Sequence, residues 1–160
     1  YLDRLAEYLS AYHGEIYSKI KNQFSRIALL YKSRIRVFEE LLEQIRFFVE
    51  DPVSYEAKAV EKYFKSTGLQ DCLNTWQGVL ASEGDFNSPE SLETLLRKTA
   101  ADLKIEAKTL IHPTRLAISG RSVTPSLFDI MSILGKETVV KRLSYVVKHD
   151  DMFLRNGGAV

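Results

Sequence analysis

From Leu2 to Val147 the apolar residues return at steps of three and four, and nowhere do they alternate in twos between hairpin turns. That regularity leaves one fold class, because each amphipathic helix must bury its apolar stripe against other helices. The chain reads as all-α, two packed helical subdomains with no sheet. Leu2, Leu5 and Leu9 mark a short first helix, interrupted by Tyr12-His13-Gly14. Ile16, Ile20, Phe24, Ile27 and Leu30 mark a second. Val37, Leu41, Ile45 and Phe48 mark a third, placed over 36–49 and stopped by Asp51-Pro52. These helices make a first subdomain over 1–54. The second, over 55–149, opens with helices at 55–65 and 69–81, separated by the turn Ser66-Thr67-Gly68. A loop over 82–88 leads into a helix from Pro89 to near Leu103, with Ser88 as N-cap and Pro89 in the first helical position. A last helix spans 136–148, with Val139, Val140, Leu143, Val146 and Val147 on one broad face. Residues 150–160, ending Gly157-Gly158-Ala159-Val160, read as a flexible tail.

Between these helices lies HPTRLAISGRSVTPSLFDIMSILGKE, residues 112–137, with two X-Pro pairs and two glycines in one short stretch. Pro is tolerated at the first helical position, where its missing N–H would be unbonded anyway, and Gly commonly closes a helix. The punctuation predicts a two-turn helix over 113–119, a bend over 120–124, and a helix over 125–134 capped by Thr124 and closed by Gly135. Arg115 precedes the bend and Arg121 lies in it. A helix N-terminus beside two arginines suits an anionic or acceptor-rich ligand. Single-stranded RNA has that chemistry, since its splayed bases stack on flat or apolar side chains and bond Arg or backbone groups. The same stretch also reads as a packing corner between two helices.

Charge points the same way through its distribution rather than its sum, which is +1. Lys19, Lys21, Arg26, Lys32, Arg34 and Arg36 follow one another with no acidic residue between them, whereas Glu83, Asp85, Glu90 and Glu93 crowd 82–93. Only the first run suits phosphate. Lys19, Lys21, Arg26 and Lys32 are its phosphate-contact candidates.

Catalytic chemistry finds little support. The carboxylate pairs Glu39-Glu40 and Asp150-Asp151 fall on exposed faces or in the tail, and no Gly-rich phosphate loop or nucleophile elbow occurs. His13, His112 and His149 lie far apart, so no metal site is expected, and His112 reads as the residue before a helix. The single cysteine, Cys72, excludes an internal disulfide and reads as a packed thiol. No apolar run reaches the length of about eighteen residues that spans a bilayer. The amphipathic start YLDRLAEYLS differs from a signal peptide, so a soluble, cytoplasmic, non-membrane protein is expected.

PTRLAISGRSVTPSLFDIMSILGKETVVKRL, residues 113–143, closely resembles the C-terminal signature of bacterial-type glutamyl-tRNA synthetases. YKSRIRVFEELLEQIRFFVED, residues 31–51, is similar to that family's basic helix start and the Glu-Leu helix ending in paired Phe. The resemblance implies an all-α anticodon-binding half of a class I ligase that binds tRNA(Glu), and it leaves open whether tRNA(Gln) is charged too. It also implies a fragment and a monomer. The family's His-Ile-Gly-His and Lys-Met-Ser-Lys-Ser-like signatures are absent, so ATP, Mg2+ and the aminoacylation step are assigned to a missing catalytic half and no cofactor to this chain. Carried over by motif, the anticodon contacts fall on Arg115, Thr124, Pro125 and Leu127. Arg34 or Arg36 matches the position that approaches the third anticodon base. Arg121 joins this set from its place in the bend. The rival expectation is a helical protein-interaction module that binds an acidic partner.

Overall fold

Helices account for every regular element among residues 1–151 and 153, which the computed structural model describes, apart from an isolated bridge at Ser54. The chain divides into two compact units, Tyr1–Glu50 and Asp51–Val160. In the first, α1 (Leu2–Tyr12), α2 (Gly14–Ile20), α3 (Phe24–Tyr31) and α4 (Phe38–Ile45) follow in order. Leu5, Leu9, Ile20, Phe24, Ile27, Tyr31, Leu41 and Ile45 are buried, so the apolar periods locate this core. The second expected helix is broken by a 3-10 turn at Lys21–Gln23, where three polar residues in a row offer nothing to bury. The third is shorter than 36–49. Its α-helical part is α4, and Arg46–Phe48 tighten into a 3-10 turn. Val37 is extended before α4, and the Tyr31 hydroxyl donates to the Gln44 carbonyl at 3.1 Å, tying α3 to the end of α4.

The second unit holds α5 (Ala57–Tyr63), α6 (Leu69–Glu83), α7 (Pro89–Asp102), α8 (Lys108–Ser119), α9 (Leu127–Leu134) and α10 (Lys136–Lys148). Its start corrects the expected boundary of 54/55. Residues 51–54 belong here, because Asp51 pairs with Lys141 and Arg142 of α10 and the Ser54 backbone lies against Gly120. α6 and α10 pack along each other, α8 contacts α5, α6, α7 and α10, and α9 lies on α7. Trp76, Leu92, Leu116, Met131 and Leu143 are among the residues fully enclosed between them. Ser88 caps α7 as expected, its hydroxyl accepting from the Ser91 N–H, with Pro89 in the first turn. Cys72 is a free thiol, half-buried on α6 rather than fully packed.

Three expectations around 112–137 and beyond need correction. α8 begins at Lys108, so Pro113 lies inside the helix and His112 is a helical residue. The apolar period explains this: Leu110, Pro113, Leu116 and Ala117 share one buried face, and burial of that face outweighs the helix bond that Pro cannot make. Ser126, not Thr124, caps α9, accepting from the Asp129 N–H at 3.4 Å, and Pro125 precedes the cap. Finally, the expected tail at 150–160 is not loose over its described residues. Asp150 accepts from Gln70 at 2.6 Å, and Phe153 is buried against Tyr55 and Phe64. The rest of that tail lies outside the described residues.

Candidate nucleic-acid interface

The bend from Gly120 to Ser126 is held from beneath by groups that only the folded chain brings together. Gly120 is left-handed at φ +73, and a Cβ there would stand 2.5 Å from the Ser54 carbonyl oxygen. Only glycine meets both conditions. Its own carbonyl accepts from the Glu56 N–H at 3.0 Å, and the Ser122 hydroxyl donates to the Glu56 carboxylate. The Ser119 hydroxyl donates to the Arg115 carbonyl at 2.7 Å and accepts from the Arg121 N–H at 3.1 Å, turning the chain out of α8.

Arg142 fixes the end of α8. Its guanidinium, 4% exposed, donates to the Ile118 carbonyl at 2.6 Å and to Asp51 Oδ1 at 2.9 Å. Lys141 holds the other Asp51 oxygen at 2.7 Å. Burial raises the Asp51 pKa, but the hydrogen bonds and charges of Lys141 and Arg142 outweigh it and hold the carboxyl below its usual range.

The predicted contact residues divide between inner and outer faces of this corner. Thr124, Pro125 and Leu127 are packed inward, Leu127 at 2% exposure, and the Thr124 hydroxyl donates to the Pro125 carbonyl at 3.0 Å. They shape the corner from within. Arg115 and Arg121 are half-buried, and between Arg121 and Thr124 the side chain of Val123 is 70% exposed. Val123 carries no signal in the sequence, because one valine in a polar bend has no period. Arg142 has a legible signal, a cation at an inward position between Val139 and Val146, and Asp51 has none.

A second feature on α8 adjoins Arg115. The His112 ring stacks on Tyr63 of α5, with centroids 4.7 Å apart and planes 15° apart. Burial first, then the charges of Arg115, Lys62 and Lys108, hold the imidazole below its usual pKa. Four basic residues are therefore near neighbours.

In the first unit the basic candidates are all exposed. Lys19 pairs with Glu15 at 3.1 Å, Arg26 donates to Gln23, and Lys32 stands 6.0 Å from the Tyr1 ring centroid. Arg34 and Arg36 lie in the turn before α4 instead of on the helix. The Arg34 N–H donates to the Tyr31 carbonyl at 2.9 Å, and the Arg36 N–H donates to Glu40 Oε2 at 3.1 Å. Among the described residues no three His, Cys, Asp or Glu side chains are grouped to hold a metal ion, and no helix is long and apolar enough to cross a membrane.

Comparison with known proteins covers both units. Glutamate–tRNA ligase 1 of Syntrophomonas wolfei is 38% identical over 120 residues, 75% of this chain and 24% of the ligase. Glutamate–tRNA ligase 1 of Caldanaerobacter subterraneus is 37% identical over 123 residues, 77% of this chain and 25% of that ligase. The chain thus spans about a quarter of the length of these curated relatives. A crystal structure of a glutamate tRNA ligase from Elizabethkingia meningosepticum, in complex with its amino acid, superposes with a TM-score of 0.74. That match covers 90% of this chain and 31% of the crystallised one at 20% identity, and it shows a shared helical fold. The family model described as the anticodon binding domain matches residues 2–147, so the chain belongs to the anticodon binding domain family, in the form carried by glutamate–tRNA ligases.

Proposed function

We propose that this chain is the anticodon-reading module of a glutamate–tRNA ligase and binds tRNA(Glu). The observation that carries this reading is the α8–bend–α9 corner. Two half-buried arginines and an exposed valine surround a backbone fixed by Gly120, Ser119 and Arg142, in a family whose model is an anticodon binding domain. A base-reading site needs donors held still before the ligand arrives, because ordering them on binding costs affinity. Arg115 supplies directed donors to a base edge, Arg121 offers charge to phosphate, and Val123 gives a base an apolar surface to rest on. Thr124, Pro125 and Leu127 act from below by setting the path of the backbone. In the first unit, Arg34 or Arg36 reads the third anticodon base, and Lys19, Lys21, Arg26 and Lys32 meet phosphates.

Attachment of glutamate, with ATP and Mg2+, belongs to the remainder of such a ligase. Titration with a tRNA(Glu) transcript, the same transcript with an altered anticodon, and a mixed-sequence RNA of equal length tests the reading. The first should bind more tightly than the other two. Equal binding of all three would reject anticodon recognition and favour a module that meets acidic partners through charge alone.

A further inference from the structure

Lys108, His112 and Arg115 recur on α8 at i, i+4 and i+7, the spacing that puts side chains along one face of a helix. This face would carry apolar residues if it met the core. Instead it runs for about 10 Å of helix, at 1.5 Å per residue, as a line of basic groups. Beside it, between α5 and α8, lies a cleft of about 320 Å3 lined by Lys62, Tyr63, Lys108, Thr109, His112 and Pro113 together with Ser66 and Leu69. None of these lining residues is a carboxylate. The Tyr63–His112 ring stack forms part of the lining, and the Lys62 ammonium stands 5.2 Å from the Tyr63 ring centroid.

We infer that this cleft is a second RNA contact, seating a backbone phosphodiester of the strand whose base is read at Arg115. The inference rests on the proposed anticodon function and extends it to a site upstream on the same helix. Charge selects the ligand: Lys62 and Lys108 bring ammonium groups, and a phosphate in the cleft would favour a proton on His112, which burial first and then its cationic neighbours otherwise disfavour. Thr109 and Ser66 add hydroxyl donors, and the flat Tyr63–His112 stack gives a neighbouring sugar or base a surface. Lys108 is held by Glu106 at 2.7 Å, but both side chains are more than two-thirds exposed, and such surface pairs exchange readily for a stronger anion. A carboxylate-lined cavity such as the one walled by Glu83, Asp85 and Glu90 repels the same group.

The test uses this chain, an RNA hairpin bearing the glutamate anticodon, and the same hairpin with a scrambled anticodon, titrated over a range of salt. The double variant Lys62→Gln/Lys108→Gln should weaken both hairpins alike, by about three- to tenfold. It should also flatten the slope of log K against log salt by about 0.7 for each phosphate that the cleft no longer neutralises. The preference between hairpins should stay that of the parent, whereas Arg115→Ala should erode it. A double variant with unaltered affinity and slope, in a chain that still prefers the cognate hairpin, overturns the cleft and leaves anticodon reading intact. If the parent shows no preference, anticodon reading fails, and the slope still decides the cleft. A parent that binds neither hairpin overturns both. His112 ring resonances should move with the hairpin and not with inorganic phosphate at equal phosphorus. An equal shift with inorganic phosphate makes the cleft a small-anion site and overturns the RNA assignment.

Discussion

Arg115 and Gly120 do different work at the corner, and single substitutions separate them. Arg115 is half-buried on α8, and its main-chain carbonyl is tied down by Ser119. Replacing it with Ala should weaken cognate RNA by about 1–3 kcal/mol, the range for a directed base contact, with the melting temperature little changed. Arg115→Lys should recover phosphate attraction but not preference, because an ammonium lacks the planar fork of donors. Calorimetric titration of cognate and scrambled hairpins reads both effects, and unaltered cognate binding by a folded Arg115→Ala chain would remove it from the site. Gly120 acts on the fold. Ala there must hold φ +73 and place a methyl 2.5 Å from the Ser54 carbonyl, so Gly120→Ala should cost more than about 1 kcal/mol in denaturant unfolding. Stability equal to the parent would mean the 52–56 segment moves aside freely. Both residues are legible in the sequence for the same reason: a glycine stop and flanking arginines are local signals. Val123 and the inward packing of Thr124, Pro125 and Leu127 are not, since burial at a bend depends on what the rest of the chain places beneath it.

At the scale of elements the corner depends on Asp51, Arg142 and the carbonyl of Ile118, drawn from the segment before α5, from α10 and from α8. Lys136–Lys148 is legible in the sequence to the residue, because its apolar face is broad and glycine marks its start. The linkage through Arg142 is not, since two long separations along the chain, 91 and 24 residues, must close on one guanidinium. The start of α8 misleads for the opposite reason: the local proline signal is strong, and only the period running back to Leu110 argues against it. Asp51→Asn should destabilise the second unit by about 1 kcal/mol near neutral pH, the low end of the cost of depriving a buried cation of its ionised acceptor, because the Asp51 carboxylate is itself half exposed and screened by water. The pH dependence has a definite sign. Asp51 titrates lower folded than unfolded, so its contribution is present above about pH 3.8, the unfolded value, and disappears as pH falls through the lower folded value. Unfolding curves of parent and variant should therefore lie furthest apart above that value and converge in acid. A gap that stays constant into acid would assign the loss to packing instead of charge.

For the molecule as a whole, a net charge of +1 cannot supply RNA affinity, so the separation of charges along the chain must. The proposed function puts phosphate on the exposed cations of the first unit and on the basic face of α8 in the second, and keeps it off the acidic stretch 82–93. Lys21→Gln should lower binding of every RNA alike and flatten the salt dependence by about 0.7, which makes it the control for a change in specificity. Such a change is expected at the turn before α4. Glutamate and glutamine tRNAs differ at the third anticodon base, C in the first and G in the second. A guanidinium donates to the acceptors on the edge of C, whereas G presents its own donors there, so one fixed Arg favours C and opposes G. Sequence periodicity sets Arg34 and Arg36 near the start of one helix with different directions, but both precede α4, and their neighbours distinguish them instead. The Arg36 amide is bonded to the Glu40 carboxylate, which places a negative charge beside that residue. The Arg34 amide is bonded to a neutral carbonyl, leaving its surroundings more favourable to an approaching nucleotide. On the proposed function, Arg34 is therefore expected to read the third base, and Arg36 to add a general attraction offset by Glu40. Hairpins that differ only by C or G at that base, titrated against Arg34→Gln and Arg36→Gln, test this. Arg34→Gln should narrow the ratio of affinities severalfold, and Arg36→Gln should lower both slightly and keep the ratio. The reverse pattern would exchange their roles, and a parental ratio in both variants would leave discrimination of that base to residues outside this turn.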